Sequence, residues 1–198
     1  MRRKWRGSIV GSLLGMTRSG APRYVSLMAD DRKVLCEGQH MVFLDRNGWE
    51  YVEHRTAPEA AMIVALTGRG EIVLAEEFRP PLNAPVVSLP AGLVGDEGPE
   101  DASEAAQREL SEETGYAADA LETLGRGPGS PGQSSEMITF FLARNAERRR
   151  EQAPHDRGRI TVHVVPVREL RAWARAREAE GKVIDPRIWA GLYLAGSP

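Results

Sequence analysis

The stretch that decides the fold runs Gly-Leu-Val-Gly-Asp-Glu-Gly-Pro-Glu-Asp-Ala-Ser-Glu-Ala-Ala-Gln-Arg-Glu-Leu-Ser-Glu-Glu-Thr-Gly at residues 92–115. Glu109, Glu112 and Glu113 stand at i, i+3 and i+4, so on a helix their carboxylates share one face. Without a cation they repel by about 0.2 to 0.5 kcal/mol per pair. A hard divalent cation such as Mg²⁺ prefers oxygen ligands. The pattern therefore predicts a short helix that carries a magnesium site.

Residues at the helix ends and beside the acids support this interpretation. Asp101 or Ser103 is suited to cap the first turn, and Gly115 is suited to a left-handed end. Arg108 is suited to hold one carboxylate by a bidentate fork without occupying the metal. An acidic surface helix is the competing interpretation, but such helices usually interleave Lys with Glu, whereas residues 109–113 carry three acids and no base.

This stretch resembles the Nudix box of the Nudix hydrolases, which reads Gly, five residues, Glu, seven residues, Arg-Glu, an aliphatic, any residue, Glu-Glu, any residue, Gly and an aliphatic. From Glu100 onward the match is complete except at the last aliphatic position, where Tyr116 stands. Seven residues instead of five separate Gly92 from Glu100. Such an insertion in the loop before the helix leaves the helical register of the acids intact.

Flanking motifs resemble the ADP-ribose pyrophosphatase branch of that family. Ser-Leu-Pro-Ala-Gly at 88–92 follows Glu-Phe-Arg-Pro-Pro at 77–81, and Pro131 lies sixteen residues past Gly115, where that branch carries its marker proline. The resemblance implies an α/β/α sandwich with a mixed sheet, preceded by a sheet region that forms a homodimer and completes the substrate site.

The spacing of apolar runs and turn residues predicts the elements of an α+β chain. Strands are expected at 23–28, 33–37, 41–44, 60–66, 71–78, 85–89, 121–124, 137–143 and 160–167, and later helices at 168–180 and 186–194. We predict a small N-terminal antiparallel β region at 1–55, which serves dimerisation, and a Nudix hydrolase domain at 56–198. The competing view is that residues 1–55 fold back on their own central domain.

A pyrophosphate linkage explains why such a site needs a divalent metal. Its phosphorus atoms are shielded by negative oxygens, which divalent ions neutralise while they lower the pKa of the attacking water. The resemblance implies Mg²⁺, with Mn²⁺ as a substitute, and hydrolysis of a nucleoside diphosphate sugar, first of all ADP-ribose to AMP and ribose 5-phosphate. GDP-mannose or another nucleoside diphosphate derivative stays open as the substrate, and so does a non-catalytic Nudix ligand-binding sensor.

Roles for individual residues follow from the motif. We expect Glu109 and Glu113 as principal metal ligands and Glu112 as a ligand or as the base for a water molecule, and the resemblance adds the backbone carbonyl of Ala91 as a ligand. Arg79 would hold a phosphate, although a surface arginine at a strand end fits the sequence nearly as well. Four residues have expected structural roles: Arg108, Glu100, Gly92 and Gly115. Of these, Glu100 would support Arg108 or the loop.

The catalytic base and the substrate contacts from outside the motif are open. The resemblance implies a catalytic glutamate in the loop where this chain has Ala-Pro-His-Asp-Arg-Gly-Arg at 153–159. Asp156, Glu136 and Glu112 are therefore all candidate bases. From the N-terminal region, Trp49 or Arg55 would reach the substrate across the dimer. Pro131 is expected at the substrate by its position in the branch motif.

Composition excludes several other classes of protein. The chain has 198 residues, 41% of them hydrophobic, and a formal net charge of -2, which argues against a nucleic-acid binder driven by charge. Its only thiol, Cys36, cannot form an internal disulfide, so we expect a cytoplasmic protein. No apolar stretch has the length of a membrane span, and the short apolar run within residues 2–15 lacks a cleavage site.

Overall fold

The computed structural model describes residues 32–96, 98–153 and 160–196. The strand predicted at 23–28 and the candidate base Asp156 lie outside these ranges. The strands are β1 (Arg32–Glu37), β2 (Met41–Arg46), β3 (Trp49–His54), β4 (Glu59–Leu66), β5 (Glu71–Arg79), β6 (Ala84–Ser88), β7 (Ala91–Leu93), β8 (Tyr116–Ala117), β9 (Leu121–Pro128), β10 (Met137–Arg144), β11 (Glu147–Arg148), β12 (Thr161–Pro166) and β13 (Val183–Ile184). The helices are α1 (Ala102–Thr114), α2 (Leu170–Ala179) and α3 (Arg187–Leu194).

A mixed sheet forms the centre of the molecule. Its strand order is β13-β6-β5-β4-β10-β9, with β12 paired to β5 and β7 paired to β4. Strands β4 and β10 are parallel, as are β6 and β13. Strands β4 and β5 pair only next to the turn that joins them. Beyond that point β7 pairs with β4 and β6 pairs with β5, so the sheet splits and leaves a cleft between the two halves.

Helices cover both faces of this sheet. On one face, Ala106 and Leu110 of α1 pack on the alternate β4 side chains Ala61, Ile63 and Ala65. On the other face, α2 and α3 pack on Met62 and Val64 through the side chains Leu170, Ile188 and Leu192. Because successive strand residues point to opposite faces, one strand supplies both cores. The predicted α/β/α sandwich with a mixed sheet is confirmed.

A separate antiparallel sheet, β1-β2-β3, precedes the sandwich. Its second hairpin turns at Asn47-Gly48, where both residues have positive φ (55° and 83°), the conformation of a type I′ turn. Strand β3 contacts the loop after β9 of its own chain, because Val52 N donates to Gln133 O at 2.8 Å. The small sheet therefore rests on the central domain by backbone hydrogen bonds.

The other predicted strands and helices inside the described ranges are also found, within about three residues at their ends, except that β9 runs four residues further. Sequence patterns missed β3, β7 and the two-residue strands β8, β11 and β13. In the part of the chain that the structure describes, no helix is long and apolar enough to cross a membrane.

Candidate active site

Both ends of α1 are fixed by local hydrogen bonds. Asp101 is the N-cap: its Oδ1 accepts from Ser103 N (2.8 Å) and Glu104 N (2.9 Å), while Glu104 Oε2 accepts from Asp101 N (2.9 Å), which completes a capping box. The helix ends at Gly115 with φ of 77°, and a Cβ there would lie 2.4 Å from Arg150 O. The rotation of the acidic face is therefore set by the sequence at both ends.

The acidic face of α1 points into the cleft. Glu113 is only 6% exposed, and its Oε2 accepts a hydrogen bond from Ala91 N at 3.1 Å. Glu109 is also largely buried, whereas the side chain of Glu112 is 34% exposed. The three carboxylates thus face β7 and the cleft, and they differ in burial: Glu113 is the most buried and Glu112 the most exposed.

Arg108 is the cation at the centre of this acidic group. Its guanidinium contacts Glu100 (2.9 Å), Glu109 (2.8 Å), Glu112 (3.2 Å) and Asp96 (3.3 Å). Hydrogen bonds from Arg108, and one from Gly95 N, hold the pKa of Glu100 below its usual range. Glu100 thus contacts both Arg108 and the loop before the helix.

Glu113, the most buried of the three carboxylates, contacts no such arginine in the described part of the chain that would balance its negative charge. Burial first, and then repulsion from Glu109 and Glu77, raise the pKa of Glu113 to about 8. Burial also raises the pKa of Glu109, although Arg108 opposes that shift. Arg79 and the hydrogen bond from Ala91 N oppose the rise at Glu113, but Glu113 forms no ion pair with any described residue, so a cation in the cleft would favour its ionised form.

Gly92 allows this packing. A Cβ at residue 92 would lie 1.9 Å from Glu109 Oε1, so the carboxylate of Glu109 lies directly against the backbone of β7. The two additional residues in the following loop leave this close contact in place. A side chain at residue 92 would force Glu109 to move.

The donor set suits a hard divalent cation. Three carboxylates and the nearby backbone of Ala91 supply oxygen atoms, and a dication would favour the ionised form of Glu113. Within the described ranges, no three His, Cys, Asp or Glu side chains already form a metal-binding group. Arg108 contacts Oε1 of Glu109 and Oε2 of Glu112, so each carboxylate can keep this contact and offer its second oxygen to a cation.

A cavity of about 1190 Å³ occupies the cleft. We call its α1 side, with Arg108, Glu109, Glu112 and Glu113, the helix wall. Its opposite side lies on β5, β6 and β13, and we call it the strand wall, with Glu77, Arg79, Val86, Val183, Asp185 and Arg187. A volume of this size accommodates a ligand larger than a single nucleotide. His40 and His54 of the small sheet line one end of the cavity.

The structure brings some of the predicted residues to this cavity and leaves others outside it. Arg79 lines it and contacts Glu77 at 3.1 Å, and Glu136 lines it as well. Trp49 donates instead to Gly132 O at 3.1 Å, and Arg55 contacts Gly38 O at 3.1 Å, so neither lines the cavity of its own chain. Pro131 is exposed in the loop on which β3 rests and does not line the cavity either.

Sequence reasoning missed several cavity residues. Glu77, Asp185 and Arg187 line the strand wall, and His54 lines the end near the small sheet. Glu77 is the first residue of the Glu-Phe-Arg-Pro-Pro motif at 77–81. Its position two residues before Arg79 on a strand places both side chains on the same face, which could have indicated the pair. The Asp-Pro-Arg segment at 185–187 carries no chemical pattern of its own, since only the pairing of β13 with β6 brings it to the site.

A mixed sheet between helices, with an acidic helix face at a split in the sheet, defines the class of this fold and site. The family model for the NUDIX domain matches residues 56–185, and the chain belongs to this family. A solved structure, "Crystal structure of ADP compounds hydrolase", has the same fold, with a TM-score of 0.61 at 22% identity over 83% of this chain and 89% of that one.

Two curated relatives extend the comparison to sequence. A methanol dehydrogenase activator of Bacillus methanolicus is 36% identical over 107 residues, which cover 54% of this chain and 55% of that protein. An ADP-ribose pyrophosphatase of Bacillus subtilis (strain 168) is 39% identical over 94 residues, 48% of each chain. The chain therefore spans about half the length of these relatives.

Proposed function

We propose that this chain is a Mg²⁺-dependent pyrophosphohydrolase of a nucleoside diphosphate sugar, with ADP-ribose as the first candidate and AMP and ribose 5-phosphate as products. One observation carries the proposal: three carboxylates on one face of α1 meet a cavity whose opposite side presents an arginine. Similarity to an ADP-ribose pyrophosphatase supports this choice of substrate. GDP-mannose and other nucleoside diphosphate derivatives are the competing substrates.

In the proposed mechanism, Glu109 and Glu113 are the principal metal ligands, with Glu112 and the carbonyl of Ala91 as further donors. When bound, the metal neutralises phosphate oxygens and lowers the pKa of the attacking water. Arg108 pairs with Glu109 and Glu112 and holds the pKa of Glu100 low. Arg79 donates to a phosphate oxygen, and its ion pair with Glu77 orients its guanidinium toward the cavity.

The base that takes the proton from water is Glu112, Glu136 or Asp156. Glu112 and Glu136 both line the cavity. Asp156 lies outside the described residues, whereas Ala153, the last described residue before it, lines the cavity and donates its N to Glu112 O at 3.0 Å. A positioned base typically contributes about 10² to 10⁴-fold. Single substitutions Glu136→Gln and Asp156→Asn therefore identify the base by a loss of that order in one variant, while unchanged rates in both leave Glu112.

The test of the activity is turnover of a nucleotide-sugar panel with Mg²⁺ in ¹⁸O-labelled water. We expect ADP-ribose to give AMP and ribose 5-phosphate, and the mass of each product identifies the phosphorus that received the water oxygen. Turnover of GDP-mannose in preference to ADP-ribose would replace the substrate assignment. Absence of turnover across the panel would refute the hydrolase proposal.

A binding function without hydrolysis is the second candidate. The similarity to a protein named as an activator of methanol dehydrogenase favours it, because activation of another enzyme is a regulatory role. Tight calorimetric binding of ADP-ribose without product formation would support this candidate. Product formation at an enzymatic rate would exclude it as the main function.

We also propose a homodimer in the cytoplasm, with residues 1–55 at the dimer contact. Every residue of β1 is exposed, and apolar side chains at positions 34, 43 and 49 are exposed on the small sheet. The small sheet is tied to its own central domain through β3, whereas β1 and the exposed apolar side chains leave a surface that a second copy would cover. Cys36 is unpaired and exposed, which suits a reducing compartment. Sedimentation as a monomer at micromolar concentration would refute the dimer.

A further inference from the structure

The strand wall carries two arginines that are held in the same way. Arg79 Nη2 lies 3.1 Å from Glu77 Oε2, and Arg187 Nη2 lies 2.5 Å from Asp185 Oδ2. In each pair the acid comes two residues before the arginine. The acid side chains are 10% and 8% exposed, and both arginine side chains are 44% exposed. Two nearly buried acids thus hold two guanidinium groups at the cavity surface.

The second pair is held by more hydrogen bonds. Arg187 Nε donates to both carboxylate oxygens of Asp185, at 3.0 and 2.9 Å, and Arg187 N donates to Oδ1 at 2.9 Å. Asp185 N in turn donates to Val87 O at 2.9 Å, which ties the pair to β6. Among the described residues, Nη1 of Arg187 has no hydrogen-bond partner. The guanidinium is therefore oriented in advance, with two N–H groups left for a ligand.

An apolar strip connects the Asp185–Arg187 pair to the Glu77–Arg79 pair along the strand wall. Val86 pairs with Glu77 on β5 and with Val183 on β13, so the three form one cross-strand row, and all three line the cavity. Adjacent strands lie about 4.8 Å apart, which places Val183 roughly 10 Å from Glu77. Asp185 and Arg187 follow Val183 along the chain. The two arginines therefore suit two separate groups of one elongated ligand.

We infer that Arg187 is a specificity-determining residue that binds oxygen acceptors on one ribosyl phosphate half of the substrate. The inference rests on the proposed function, which assigns Arg79 to the diphosphate and leaves Arg187 without a role. A nucleoside diphosphate sugar extends from its diphosphate on both sides, and a fixed guanidinium donates well to hydroxyl, ring or phosphate oxygens. The Val86 and Val183 strip supplies the apolar surface beneath the bound half.

The test compares Arg187→Lys and Arg187→Gln in the full chain. Lysine keeps a cation beside Asp185 but loses the planar fork, so a melting temperature close to wild type in Arg187→Lys is needed to separate ligand binding from a structural role of the pair. We expect the KM for ADP-ribose to rise about tenfold in both variants, with kcat within about threefold of wild type. The matched control is Arg168→Gln, since Arg168 is 84% exposed, pairs with the adjacent Glu169 and does not line the cavity.

Product inhibition identifies which half is bound. Weaker inhibition by AMP in Arg187→Lys assigns the nucleotide half, and weaker inhibition by ribose 5-phosphate assigns the sugar half. Wild-type KM together with wild-type inhibition by both products in the lysine variant would overturn the inference. Failure of the proposed function is a different result, because the wild-type chain would then turn over no nucleotide sugar at all.

Discussion

The two walls of the cavity are encoded in different ways. The helix wall comes from one contiguous stretch, in which Glu109, Glu112 and Glu113 need only a helix to share a face. The strand wall comes from two parts of the chain, strands β5 and β6 and the later segment at 183–187, which lie about a hundred residues apart. Among the residues that the structure describes, the arginine of the helix wall contacts four acids, whereas each arginine of the strand wall contacts one. The comparison suggests that the helix wall serves chemistry and the strand wall serves binding.

Removal of Arg108 is expected to have the largest effect on stability, and it tests the statement that one arginine holds the acids of the helix wall together. In Arg108→Gln, four acids lose their shared cation, so we expect a loss of about 3 to 5 kcal/mol in the free energy of unfolding by urea. Arg79→Gln leaves only Glu77 unpaired and should lose less. Arg144→Gln breaks a solvent-exposed pair with Glu122 and serves as the control, with a nearly unchanged midpoint. Equal losses in all three variants would contradict the central role of Arg108.

The raised pKa of Glu113 makes a prediction of opposite sign. The unfolded chain ionises this carboxyl near 4.5, but the folded chain holds its pKa near 8, so the native state loses relative stability as pH rises from 4.5 to 8. Without metal, Glu113→Gln should therefore be more stable than wild type by about 2 to 4 kcal/mol above pH 8. Thermal melts in EDTA should show this difference shrinking toward zero near pH 4. A difference that does not depend on pH would contradict it.

A smaller effect is expected where the helix wall meets β7. In Gly92→Ala the new methyl group would displace Glu109, so we expect weaker Mg²⁺ binding by about tenfold, measured by calorimetry, with a melting temperature close to wild type. Gly127→Ala on β9 is the matched control, because a Cβ there meets no atom within 4 Å. Equal Mg²⁺ affinity in both variants would show that Glu109 does not need this close approach.

The sequence predicted helix α1 well because its information is local. The i, i+3, i+4 spacing, the capping residues and Gly115 all act within one helix, and the structure has that helix at 102–114. Strand β3 was missed although Asn47-Gly48 is a strong hairpin signal, because the segment after it mixes charged and aromatic residues. Strand β13 has two residues and exists only through its pairing with β6. Arg187 reaches the cavity through that pairing, which no local pattern encodes.

The central claim is that the acidic face of α1 carries the chemistry, and Glu113→Gln tests it most directly. The measurement is kcat for ADP-ribose at saturating Mg²⁺, with Glu122→Gln, an exposed glutamate on β9, as the control. We predict a loss of at least about 10²-fold in Glu113→Gln and none in the control. Because Glu113→Gln should be as stable as wild type or more so, the loss would not reflect unfolding. Wild-type kcat in Glu113→Gln, with Mg²⁺ dependence retained, would contradict the assignment of the helix wall as the catalytic site.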